Sequence, residues 1–134
     1  MKYFSIDELS RSATARRLGI DNRPDEEQKA RLQALIENVL DPLRQAWGAP
    51  IIVDSGFRCN RLNKAVGGAR NSQHTTGEAA DIRTLADTPE QNRRLFNLAL
   101  QLRLPFDQII DEYGYSWIHV SYGPRNRRMA LHLK

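Results

Sequence analysis

Two residues of the chain stand out for their chemistry, His74 and Asp81, seven positions apart with Gly77 between them. An imidazole and a carboxylate suit a borderline cation such as zinc, which takes His nitrogen and Asp oxygen at about 2.0–2.2 Å. A chain that turns at Gly77 and enters a strand at Ala79-Ala80-Asp81-Ile82 can bring both groups to one centre. Two ligands do not make a site. The best third is His119, in the β-like run Trp117-Ile118-His119-Val120-Ser121. Period-two alternation puts Trp117, His119 and Ser121 on one strand face and the core-forming Ile118 and Val120 on the other. Three protein ligands leave a fourth position for water, the pattern of catalytic zinc sites.

Hydrolysis at such a centre needs a base just outside the ligand shell. Glu112, which leads into a hairpin before His119, is the first choice and its neighbour Asp111 the second. Glu78 points away from Asp81 by alternation if the strand has already begun. Arg58, after a strand end in Ser55-Gly56-Phe57-Arg58, could hold a substrate carboxylate or a developing oxyanion. His132 has no neighbouring motif and reads as structural. Cys59 is the only cysteine, so no internal disulfide forms. It reads as a small residue opening a helix, with a nucleophile beside His74 or His119 as the alternative.

Several elements must position these groups. Ser5-x-x-Glu8 has capping-box form and starts a helix that ends by Gly19. A longer helix begins at Asp25, with Asp25, Glu26 and Glu27 in its first turn. Its apolar stripe is Leu32, Leu35, Ile36, Val39, Leu40 and Leu43, and Pro42 kinks or restarts it. Ile51–Ser55 is a β-branched strand. Asn60 to Val66 reads as a short helix closed by Gly67-Gly68. A strand follows the His74 loop from about Ala79 to Arg83, and Pro89 opens a helix to Leu102. Asp107–Asp111 and Trp117–Tyr122 form a hairpin across a loop of about five residues, and Arg128–Leu133 can add a third strand. Helices beside a mostly antiparallel sheet give the α+β class.

The chain has 134 residues, 40% of them hydrophobic and 27% charged, enough for one domain over residues 1–134 with one core. No apolar run approaches the ~20 residues of a membrane helix. The N-terminus lacks a hydrophobic signal segment, so the expectation is synthesis in the cytoplasm and export by another route. Net charge is +4 and the isoelectric point about 9.6. Part of the excess lies in Pro124-Arg125-Asn126-Arg127-Arg128, which reads as a solvated turn able to attract an anionic wall polymer. It lacks the interleaved aromatics of a nucleic-acid surface.

His74-x-x-Gly77-x-Ala79-x-Asp81, preceded by Ser72 and followed by Trp117-x-His119, resembles the zinc D-alanyl-D-alanine carboxypeptidases and related D,D- and L,D-peptidases of peptidoglycan. Ser55-Gly56-Phe57-Arg58 and Leu62-Asn63-x-Ala65-Val66-Gly67-Gly68 resemble the upstream block of that family, so the likeness runs from about Phe4 to Tyr122. It implies Zn²⁺ on His74, Asp81 and His119. It also implies Arg58 on the substrate or its oxyanion, Ser72 lining the substrate site, and the fold shared with the hedgehog signalling domain. The compact form is similar to members carried by bacteriophages and prophages, some of them endolysins. One departure concerns the base. Some members place a Glu three residues before the last His, where Ser116 stands, and others a His five before, where Gly114 stands. Glu112 lies seven before.

The expectation is therefore a monomeric zinc peptidase that cuts a peptide bond of the peptidoglycan stem, next to a D-alanine, as a carboxypeptidase or endopeptidase. A catalytically inactive, zinc-stabilised wall-binding module is the alternative, and nucleic-acid binding a further rival.

Overall fold

The computed structural model describes residues 1–133, and among them five strands form one sheet in the order β1-β2-β4-β3-β5. These are β1 (Ile51–Ser55), β2 (Ala79–Thr84), β3 (Gln108–Glu112), β4 (Trp117–Ser121) and β5 (Met129–Leu133). β1 to β4 pair antiparallel, while β5 runs parallel to β3 at the edge. The α+β expectation is met.

The N-terminal helix divides in two, a difference from the single helix that the sequence pattern suggests. α1 (Ile6–Ser10) is capped by Ser5, whose Oγ accepts from the Glu8 N–H at 3.1 Å, and α2 (Ala13–Leu18) by Ser12 in the same way. A second cap inside a short polar run outcompetes helix continuation. The reciprocal capping box forms instead at Asp25 and Gln28, opening α3 (Glu26–Leu35). Pro42 lacks an N–H, and its ring crowds the carbonyl four residues back. The backbone answers with a π-helical turn over Ile36–Leu40 and then α4 (Asp41–Trp47). α5 (Asn60–Ala65) and α6 (Pro89–Gln101) fall where the pattern places them.

The core lies on one sheet face. Ala80, Ile82, Ile109, Ile118 and Val120 meet Leu32, Leu35, Ile36, Val39, Leu95 and Phe96, all at most 2% exposed. The opposite face is thereby free to carry polar groups. At its β1 side α1 crosses very close to the chain leaving β1. Phe57 N–H donates to Leu9 O, and a Cβ on Gly56 would lie 2.0 Å from that same oxygen. Gly56 is the one residue type that allows this crossing.

Gly56→Ala is therefore expected to destabilise the fold by about 1–3 kcal/mol, the usual cost of forced overpacking. A urea melt measures it, and wild-type stability in the variant would contradict the close crossing.

Candidate functional site

His74 lies in a 3-10 turn, Gln73–Thr76, not in an open loop as its neighbours suggest. Ser72 caps the turn, its Oγ accepting from the His74 N–H at 3.2 Å. Gly77 ends it at φ +84°, and a Cβ there would come within 2.6 Å of Gln28 O on α3. The turn is thus wedged between α3 and β2. The His74 ring is 2% exposed, and its Nδ1 sits 2.7 Å from Gly56 O. A carbonyl only accepts, so Nδ1 carries the proton and Nε2 presents a lone pair.

That lone pair meets Asp81 and His119. Asp81 on β2 and His119 on β4 are directly opposite in register, so their side chains share the polar face. His74 Nε2 lies 3.3 Å and His119 Nδ1 3.1 Å from Asp81 Oδ1. The three side chains offer ligand atoms within 4.8 Å of one another. A tetrahedral ion with ligands about 2.1 Å away holds them roughly 3.4 Å apart. The spacing, the two-nitrogen-one-oxygen set and the fixed tautomer of His74 all fit zinc. Gly56 O is the outer partner that such an imidazole needs. Burial pushes the Asp81 carboxyl up, but where the His119 and His74 rings donate to it they outweigh that effect and hold the group well below the usual range; a bound cation takes the place of those protons. It is an anion between two imidazoles, ready for a cation.

Arg58 stands beside this group, its N–H donating to His74 O at 3.0 Å. Burial lowers its pKa, while Asp81 and then Glu112 oppose the shift. Its Nε is buried and, among the described residues, has no hydrogen-bond partner. Arginine rarely leaves a buried N–H unpaired, and an anionic ligand is the group that would satisfy it.

Glu112 is the last residue of β3, directly opposite Trp117. It therefore shares the face of His119, and no loop has to fold back to bring it there. Trp117 Nε1 donates to Glu112 Oε2 at 3.0 Å, which leaves Oε1 for another partner. Asp111, the second choice for a base, is corrected by the same alternation. It points to the opposite face, 5% exposed, and pairs with His132. That pairing also gives His132 its structural role. Glu78 accepts from the Thr76 hydroxyl and takes no part in the cluster. Cys59 caps α5, its Sγ accepting from the Leu62 N–H at 3.4 Å, as a helix-opening residue does.

Sequence reasoning missed four contributors. Gly56 acts through its carbonyl, which leaves no trace in side-chain patterns. Gln73 and Asp107 form the other support of the His74 turn: Gln73 Nε2 donates to Asp107 Oδ2 at 3.0 Å. Asp107, 1% exposed, also accepts from Arg127 Nε at 2.9 Å and Nη2 at 3.0 Å. These bonds hold its carboxyl well below the usual range against the opposing effect of burial. The Pro124–Arg128 turn is thus partly internal, since Arg127 is spent on Asp107 and Arg128 Nε on Leu104 O. Trp117 Nε1 is the fourth contributor, and its cross-strand place opposite Glu112 was the available signal.

The sequence profile of one protein family, Peptidase M15, matches residues 2–121. The zinc D-Ala-D-Ala carboxypeptidase of Streptomyces albus G is 47% identical over 55 residues, which are 40% of this chain and 22% of that protein.

Two outcomes follow from the supports of the site. Gln73→Met keeps the side-chain length and removes the bond to Asp107, so zinc affinity in a chelator competition should fall about tenfold, as for other outer supports. Unchanged affinity would contradict that role. Asp107 is lowered by its partners, so its stabilisation is full above about pH 4, near the ordinary carboxylate value, and fades as pH falls further. Urea melts of Asp107→Asn should show lower stability at pH 7 and a shallower loss between pH 5 and pH 2 than the wild type. Parallel pH profiles would overturn the linkage.

Proposed function

The chain belongs to the peptidase M15 family, and on that footing we propose that residues 1–134 are one zinc peptidase domain that hydrolyses a bond of the peptidoglycan stem peptide next to a D-alanine. The observation that carries the reading is the convergence of His74, Asp81 and His119 beside an Arg58 whose guanidinium Nε has no partner among the described residues. The M15 match and the local identity to a zinc D-Ala-D-Ala carboxypeptidase support it. That relative is matched over 22% of its length, so its substrate comes to this chain only as part of the proposal.

His74 Nε2, Asp81 Oδ1 and His119 Nδ1 would hold Zn²⁺. When bound, the ion supplies Lewis acidity that activates a carbonyl and a water. Glu112 takes a proton from that water at Oε1, because Oε2 is held by Trp117, and delivers it to the leaving amine. Arg58 stabilises the developing oxyanion or binds a terminal carboxylate. Ser72, already capping the His74 turn, lines the approach to the substrate. A compact wall-cutting enzyme of a phage or prophage, acting as a monomer, is the finer form of this reading. The inactive binding-module alternative leaves both the unpartnered Arg58 and the accessible Glu112 Oε1 without a purpose.

The test is release of D-alanine or of new amine ends from purified peptidoglycan. Activity should vanish with a chelator and return with Zn²⁺. Glu112→Gln should lose about 10²–10⁴-fold in rate, the usual worth of a positioned base, while keeping its zinc. Wild-type protein that binds zinc in equal proportion yet cuts nothing would sink the catalytic reading. A Glu112→Gln enzyme of wild-type rate would sink only the base.

A further inference from the structure

The charge of this chain is unevenly placed. Residues 9–20 and 55–77 contain seven arginines and lysines and no aspartate or glutamate, so the rest of the chain is net −3 against a whole-chain charge of +4. The fold puts these two stretches together. Ala15 within α2 and Ile20 just after it pack on Leu62 of α5, with Cys59 beside them. Asn22 ties the same region down, donating to Ser10 O and Phe57 O and accepting from the Cys59 N–H. Arg11, Arg16, Arg17, Arg61, Lys64 and Arg70 are all exposed, and none joins an ion pair among the described residues. The acids at its rim are Asp7 and Glu8 on α1, where Arg11 opposes the rise that burial gives Glu8, and Asp54, which lines the hollow with Arg11 but is paired with Arg83 at 3.0 Å.

Exposed cations gathered without counter-charges raise the local potential and favour a polyanion. The patch has a definite address. Arg11–Thr14 and Leu62 line one hollow together with Arg58 and Ser55, and Ser55 is the register partner of Asp81. The basic surface therefore reaches the hollow beside the site through Arg11, while its other cations extend outward from it. Within the two stretches the sole aromatic is Phe57, 2% exposed, so there is no stacking platform for bases.

We propose that this α2–α5 surface is a docking site for a phosphate-bearing polymer of the bacterial wall, which holds the enzyme on the material it cuts. The choice of a wall polymer rests on the function proposed above. The site itself rests on charge and position.

The intact protein would be titrated with soluble poly(glycerol phosphate) and with isolated wall material before and after that polymer is stripped. A flexible polyanion meeting five of these cations loses about a hundredfold in affinity between 50 and 200 mM salt, from a slope of log affinity against log salt of roughly 0.7 per contact. The triple change Arg16→Gln, Arg17→Gln, Lys64→Gln should weaken binding at least tenfold and leave cleavage of a short soluble stem peptide within twofold. Arg93→Gln with Arg103→Gln, away from the patch, should bind as the wild type does. Salt-insensitive binding, or a triple variant that binds as well as the wild type, overturns the proposal. So does tighter binding to double-stranded DNA or to phosphatidylglycerol vesicles, which would reassign the surface to nucleic acid or membrane. Polymer binding without peptide cleavage would sink the peptidase reading alone, and cleavage with an unchanged triple variant would sink the docking site alone.

Discussion

Everything at the site depends on one proton. The Gly56 carbonyl fixes it on His74 Nδ1, and only then does Nε2 turn a lone pair toward Asp81 and His119. The carbonyl is in place because the chain leaving β1 passes so near Leu9 that Gly56 has no room for a side chain. A steric constraint between two backbone segments thus sets the tautomer of a buried imidazole. Backbone carbonyls in this role are hard to replace by mutation, which makes the arrangement robust.

The division of labour between the two sheet faces is equally simple. Alternation sends Ile118, Val120, Ile109 and Ile82 into the core and leaves His119, Asp81, Glu112 and Trp117 on the other side. No residue of the site is buried for the sake of stability alone. The supports that do cost desolvation, Asp107 with Arg127 and Gln73, sit at the margin, where they fix the 3-10 turn without crowding the ligands.

The metal triad and its strand face were legible because each signal was periodic or local: a spacing through Gly77, an alternation through Ile118. The helices of the second half were legible for the same reason. The split of α1 from α2 was not, since it turns on Ser12 competing as a cap within a run that is acceptable helix. The π-turn before Pro42 was foreseen only as a kink. Asp111 and Glu112 could not be separated by composition; a register of one residue puts one in the core and the other at the site. Gly56 and Asp107 act through contacts made by folding, between residues 18 and 34 positions apart, and no sequence window contains them.

The central claim is a metal held by two imidazoles and one carboxylate, and zinc-edge X-ray absorption of the loaded protein tests it most directly. The expected first shell is nitrogen and oxygen only, at about 2.0–2.1 Å, with the scattering pattern of two imidazoles. A sulfur shell near 2.3 Å would place the metal on Cys59 instead. Either that result or a chain that retains no zinc after dialysis would contradict the site described.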